Sequence, residues 1–396
     1  MRHRHVFART AFTGAALAAV LAVPVQAQSV RGITDKEIVI GMHTDLSGPA
    51  SFYGVSSRNA AQMRYDILNE QGGIHGRKIR FVVEDTQYQV PRGVAAVNKL
   101  INRDKVFAIV GGLGTPIINA AFKEQEAANV PNLFPLTSAR SMAEPLNRLK
   151  FALGASYYHQ IRLGMKWLVE NKQRKVICSL YEDTDFGQEI LEGVMDQAKE
   201  MGIKVAETAA VKPTDTDFTA AVTKLKNANC DFIGMGTIVR TTIIPMGTAK
   251  RMGWNDPVWV GQTASYDYVV AAAPGGATEG FYSGSVNFLP YAETASPEVK
   301  AWLAAYKEKF KTDINAGSMY GWAGADLTIM ALDRAGKNVT VDGFIKAMEG
   351  ITGYRDMFGG PTASFSATNH KGTGAAYLNQ VRGGKWEPVM TEPLMN

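Results

Sequence analysis

Cysteine is nearly missing from this sequence: two residues in 396, Cys178 and Cys230, too few for a disulfide scaffold. Both lie in or beside apolar runs that could form neighbouring strands, so a bridge is open to them in an oxidising compartment. Buried free thiols are the expected state, because free Cys is commonly buried. A large excess of one charge is missing too. Lys plus Arg number 42 against 37 Asp plus Glu, and no stretch gathers the cations into the stripe a nucleic acid requires. No apolar run reaches the roughly 20 residues of a membrane-spanning helix. The chain also lacks a GxSxG elbow, metal-spaced histidines, a GxxxxGK[ST] loop and a GxGxxG turn, which argues against catalysis. No metal, no cofactor and no enzymatic activity are expected.

What is present begins with a leader. MRHRHVFART is basic, AFTGAALAAVLAVPV is a short apolar core, and VQA before Gln28 has the small-x-small form of a cleavage site. Residues 1–27 therefore read as a signal peptide, and the mature chain as a periplasmic protein. Cleavage removes Arg2, Arg4 and Arg9 and no acid, leaving 39 cations against 37 anions and a charge near +2. The remainder, 396 less 27 residues, exceeds the roughly 250 to 300 that one core supports. Two lobes are expected.

Short apolar runs alternate with longer amphipathic ones. EIVIGM, IRFVVED, FAIVGG and VPNLFPL read as strands in the first half, as do KVICSLYE, KVAETAAV, CDFIGMGT and PVWVGQ in the second. Segments such as SRNAAQMRYDILNEQG, TPIINAAFKEQEAAN, YHQIRLGMKWLVENK and FGQEILEGVMDQAKEMG read as the intervening helices. Continuous apolar strands separated by helices predict an α/β fold of parallel sheets covered on both faces. The series runs twice, then passes through two helical segments into a hairpin-like AAYLNQVRGGKWEPV. Ligands in such folds lie beyond the carboxyl ends of strands. There fall DLSGPASFYG (45–54), GGLGTP (111–116), PLTSARS (135–141), YEDTDFGQE (181–189), GTIVRTT (236–242) and GQTASYDY (261–268). The first of these is a Gly-Pro turn with neither phosphate-loop pattern, and Tyr53 at its end is expected in a ligand wall.

Taken together, IVIGMHTDLSGPASFYG, DILNEQGGIHGRKIRFVVEDTQ, AIVGGLGTPIINAA, VPNLFPLTSA, YEDTDFGQEILEG and GWAGADLTIMALDRAG resemble the type I periplasmic solute-binding proteins of ABC importers. The similarity is to the leucine/isoleucine/valine-binding branch and covers essentially the whole mature chain. It implies two doubly wound parallel-sheet lobes joined by three crossovers near residues 153, 285 and 360. Residues 28–153 with 285–360 would form lobe one, and 154–284 with 361–396 lobe two. It further implies a monomer that closes over a small ligand and delivers it to an ABC permease in the inner membrane. By the same resemblance, Gly114 and Thr115 on one loop and Leu136, Thr137 and Ser138 on another hold a ligand carboxylate. Hydroxyls and N–H groups at a helix start are suitable donors to a buried anion. The family disulfide has no counterpart, since Tyr88 and Gly114 stand at its Cys positions.

One departure bears on the ligand. The branched-chain amino-acid binders carry an acid on the loop matching GQTASYDY, paired with the ligand ammonium. Thr263 stands there in this chain, with no acid before Asp267. A buried ammonium without an anionic partner is strongly disfavoured. The cleft loops supply aromatics instead (Tyr53, Tyr157, Tyr158, Phe186 and Tyr266), and also Arg240. Flat rings stack on aromatic ligands, so a small carboxylate without an amine, of the hydroxybenzoate or hydroxycinnamate type, suits that inventory. Branched-chain or other amino acids or amides are the alternative ligands. A ligand-sensing receptor subunit is the alternative role.

Overall fold

A computed structural model describes residues 30–390 and 392–395, with Met1 and His3. Apart from those two residues, the expected signal peptide lies outside the described residues. Two sheets organise the rest. In the first, β1 (Glu37–Thr44), β2 (Lys78–Asp85), β3 (Ala108–Val110), β4 (Asn132–Leu133) and β5 (Lys150–Phe151) are all parallel, in the order β2-β1-β3-β4-β5. In the second, β6 (Ile177–Glu182), β7 (Val205–Val211), β8 (Phe232–Gly236), β9 (Val258–Gly261) and β10 (Tyr282–Ser285) are parallel, in the order β7-β6-β8-β9-β10. An antiparallel hairpin, β11 (Ala375–Arg382) and β12 (Lys385–Pro388), extends its edge, and β13 (Leu394–Met395) pairs with β11. Its turn is Gly383-Gly384 with φ of 57° and 77°, the left-handed pair that a two-residue turn between twisted strands requires.

The α/β class follows from how the strands are buried. Every residue of β1 after Glu37 is buried, as are all residues of β3, β8 and β9. Helices cover both faces, so these strands read as unbroken apolar runs rather than as alternation. Three passes link the sheets. The first leaves β5 for the helix Tyr157–Lys172. The second leaves β10 for the helices Pro297–Phe310 and Ala316–Ala335, which return to the first sheet's helix Ser51–Glu70. The third follows the helix Val341–Glu349 and ends at β11.

Two expectations are corrected. The helix after β1 starts at Ser51, not near Ser57, so Phe52 and Tyr53 sit in its first turn. The cause is Asp45, whose carboxylate accepts the N–H groups of Ser47, Gly48 and Ala50 at 3.1, 2.5 and 2.8 Å. Asp85 accepts those of Leu46 and Gln87, at 2.9 and 3.0 Å. Donors committed to these two acids are not available to a phosphate. The second correction concerns the thiols, which are joined as a Cys178–Cys230 disulfide. Cys178 lies on β6 opposite Ile233 of β8, and Cys230 precedes β8 by two residues. Strand adjacency brings the two Cα atoms to 5.9 Å, within the reach of a bridge.

The helices Ser51–Glu70 and Ala316–Ala335 touch through Gly317 and Gly321, one turn apart. A Cβ at Gly321 would lie 2.1 Å from the Ser57 carbonyl oxygen, which is helix backbone and cannot swing aside. Gly321→Ala is therefore expected to lower stability by about 1–3 kcal/mol, the usual cost of overpacking. The urea midpoint reads this directly, and an unchanged midpoint would show that the helices separate freely.

Candidate functional site

Loops following β1, β3 and β4 of the first sheet, and β6, β8 and β9 of the second, converge on one cavity of about 540 Å³, its mouth included. Of the residues expected at the site, Tyr53, Gly114, Thr115, Leu136, Thr137, Tyr157, Phe186 and Thr263 line it. Four others do not. Ser138 is one step behind the wall, its Oγ 3.3 Å from the Tyr320 hydroxyl. Tyr158 follows Tyr157 on the same helix, so the two side chains diverge by about 100° and only one can face the cavity. Its hydroxyl donates to Asp196 at 2.7 Å and accepts from Arg162 at 2.8 Å, with the Arg140 guanidinium 3.9 Å over its ring. Arg240 donates to the Pro213 carbonyl at 2.6 Å. Tyr266 packs against Trp386, ring centres 4.9 Å apart.

The lining also contains residues that sequence reasoning passed over. Tyr88 projects from the loop after β2, and Tyr320 from the helix Ala316–Ala335; Leu113 and Ile238, from two of the expected loops, add apolar wall. Tyr88 carried one signal, its coincidence with a family Cys position. Tyr320 carried none, because SMYGWAG reads only as helix.

The chemistry of the wall follows from these placements. Thr115 opens the helix Thr115–Ala127, where the first N–H groups have no intrahelical acceptor and the dipole is positive. Its hydroxyl shares a 2.7 Å bond with that of Thr137. Gly114 has φ 104°, and a Cβ there would also lie 3.0 Å from the Tyr88 ring. On the opposite side the backbone N–H and hydroxyl of Thr263 both donate to Gln160 Oε1, at 2.9 and 2.6 Å. Tyr53 donates to the Ala264 carbonyl at 2.8 Å, bridging the two sides.

No charged side chain is among the described residues that line the cavity. Burial pushes the Tyr157 phenol up to about 12, and raises Tyr53, Tyr88 and Tyr320 as well. All four are therefore neutral donors. Two acids lie outside the wall. Glu182 accepts from Thr241 Oγ1 at 2.6 Å and from the Ile238 N–H at 3.4 Å, while its Oε2 has no partner among the described residues; burial lifts it to about 7. Asp267 accepts from the N–H groups of Ala316 and Val269, at 2.9 and 3.2 Å, and burial lifts it to about 6. His43 is fully buried, with both ring nitrogens unpartnered among the described residues. Burial lowers it to about 4, so it is neutral and supplies no charge. At the rim, Asn119 donates to Asp185 at 2.8 Å and the Arg140 N–H to Glu189 at 3.0 Å, with an Arg140–Glu192 ion pair beside them.

A parallel, doubly wound pair of sheets with an apolar cavity at the strand ends is one half of the assignment. The other half is a family model described as periplasmic binding protein, which matches residues 37–385. The chain belongs to this family. This periplasmic binding protein is 25% identical over 300 residues to the leucine-, isoleucine-, valine-, threonine- and alanine-binding protein of Pseudomonas aeruginosa, covering 76% of this chain and 79% of the relative. The match to the Leu/Ile/Val-binding protein BraC3 of Rhizobium johnstonii spans about half of that relative, 54%. Its fold matches the fatty acid ABC transporter substrate-binding protein from Thermomonospora curvata with a TM-score of 0.82 at 26% identity, over 94% of this chain and 96% of that one. It also matches the R. palustris ABC-transporter solute-binding protein in complex with benzoate, TM-score 0.78 at 17% identity, over 91% and 96% of the chains. The periplasmic binding protein is thus a solute-binding component of an ABC transporter. No helix among its described residues is long and apolar enough to cross a membrane.

Proposed function

We propose that this periplasmic binding protein takes up a small carboxylate with an apolar body, of the hydroxybenzoate or hydroxycinnamate type, and delivers it to an inner-membrane ABC permease. One observation carries the reading: an uncharged cavity walled by four tyrosines and Phe186, with the Thr115 and Thr137 hydroxyls and a helix start at one end. Buried hydroxyl and N–H donors are what a desolvated carboxylate requires, and the rings suit a flat body. An α-amino acid, as named for the Pseudomonas relative, would need an anion beside its ammonium. The Thr263 hydroxyl is bonded to Gln160, and Glu182 and Asp267 would have to turn inward. Benzoate and fatty acids, named for two proteins of this fold, are carboxylates without an amine. Calorimetry with 4-hydroxybenzoate, 4-hydroxycinnamate, leucine and valine tests this. Micromolar affinity for an aromatic acid, roughly 8 kcal/mol, is expected; tight leucine or valine binding with no heat from the aromatic acids would overturn it.

In this reading, residues 28–153 with 285–360 and residues 154–284 with 361–396 move as two lobes about the three passes. Closure then forms the bonds of Glu189 to Arg140 and of Asp267 to Ala316. Burial holds both acids above their ordinary values of 4.5 and 3.8, at about 7 and about 6. A raised acid penalises the closed form at pH above its raised value, and that penalty fades as pH falls towards the ordinary value. Affinity for a benzoate-type ligand, still ionised at pH 5.5, is therefore expected to tighten several-fold between pH 8 and 5.5, with net proton uptake on binding. Titrations in two buffers of different ionisation enthalpy measure that uptake, and an affinity that weakens as pH falls would reject the linkage.

A further inference from the structure

Beside the ligand cavity lies a second, narrow space among the three chain passes, of about 400 Å³ with its open mouth included. Leu153 borders it from the first pass, Asn287 from the second and Asp356 from the third. Tyr320 lines both cavities. It is buried, and its hydroxyl is steadied by Ser138 at 3.3 Å. Among the described residues it is the one residue common to the two linings. The rear cavity also holds an unmet polar atom. Asn287 is buried, its Oδ1 has no partner among the described residues, and its Nδ2 reaches only the Met319 sulfur at 3.9 Å. A buried acceptor without a donor is costly, so the cavity is suited to a group that brings a hydroxyl or N–H.

We propose that Tyr320 is a length-setting partition that ends the ligand site at its ring, and that the space behind it takes the distal end of a longer ligand once the ring is removed, with Asn287 Oδ1 accepting from a terminal hydroxyl. The inference rests on the cavity reading above for which ligands enter, but not for where the wall stands. With Tyr320 in place, the ligand body ends at the ring. Removing the ring joins the two spaces and lets the body extend between the chain passes.

The test compares short and long members of two ligand classes, benzoate with cinnamate and valine with phenylalanine. The proteins are the wild type, Tyr320→Ala, Tyr320→Leu and Tyr320→Phe. The two further carbons of cinnamate over benzoate are worth about one decade of affinity when buried, and the four of phenylalanine over valine at least that. The long-to-short affinity ratio is expected to rise about tenfold in the Ala and Leu variants and to stay at the wild-type value in Phe, which keeps the ring. In the Tyr320→Ala background, Asn287→Leu should erase any preference for 4-hydroxycinnamate over cinnamate. An unchanged ratio in both Ala and Leu, with the short ligand still bound, overturns the partition. Should only the amino-acid pair bind, the carboxylate reading falls while the partition is still scored on valine against phenylalanine.

Discussion

Thr115→Val should weaken binding of a benzoate-type ligand by tenfold to a hundredfold while the protein stays folded. Valine keeps the shape of threonine and removes only the hydroxyl, which lies in the cavity wall 2.7 Å from that of Thr137. A hydrogen bond to a charged group is worth about 1.5–3 kcal/mol, and 1.4 kcal/mol is one decade. The loss falls on the anion because Thr115 is the first residue of its helix, where N–H groups and dipole point the same way. Ser138→Ala is a weaker change. Ser138 reaches the cavity only through Tyr320, so an effect of a few-fold at most is expected. Arg240→Ala should leave affinity unchanged, since its guanidinium bonds the Pro213 carbonyl. Calorimetry on the three variants separates the cases. Abolished binding in Arg240→Ala, with Thr115→Val silent, would place the anion against the second sheet and sink the cradle.

Why some of these roles could be read in the sequence, and others not, comes down to which interactions are local. The strands β1, β3, β8 and β9 are covered on both faces, so their apolar runs announce themselves. By contrast β10, with sequence YSGS, is fully buried yet polar. Its Ser283 bonds the Gln262 carbonyl at 3.0 Å, and the Asn379 side chain bonds Ser285 Oγ at 2.9 Å. Those partners are 21 and 94 residues away, so no local pattern marks the strand. The site divides in the same way. The loops that carry Thr115, Thr137 and Phe186 follow directly from lying just past strand ends, and the family resemblance points to Thr115 and Thr137 within them. Choosing between Tyr157 and Tyr158 needed the helix phase, which is fixed by the packing of Tyr157 against Phe186 at 5.1 Å. Tyr320 enters the cavity because Gly317 and Gly321 let its helix approach the helix Ser51–Glu70 closely, a tertiary fact. Strand order likewise decides the thiols. Nothing in a separation of 52 residues says that β6 and β8 are neighbours while β7 lies outside them.

That bridge carries the largest expected change in stability. Replacing both Cys178 and Cys230 by alanine should lower the unfolding free energy by about 4 kcal/mol, from the loop-closure entropy the unfolded chain regains when a 52-residue link is released. Both residues are buried, at 0% and 3% exposure, between the strands β6 and β8 and the helices that cover them. Alanine is the appropriate substitute, because serine would add a buried hydroxyl with its own cost. Denaturation in urea should show a lower midpoint for the variant, and wild-type protein unfolded with a thiol reductant should move towards it. The ligand affinity measured on the folded variant should be unchanged, since neither sulfur lines the cavity and the strand pairing that positions Phe186 and Ile238 is made by backbone bonds. Equal midpoints for the two proteins would mean that the unfolded chain gains nothing from the cut. The sheet, held by its parallel ladder and apolar burial alone, would then have the same stability with or without the bridge.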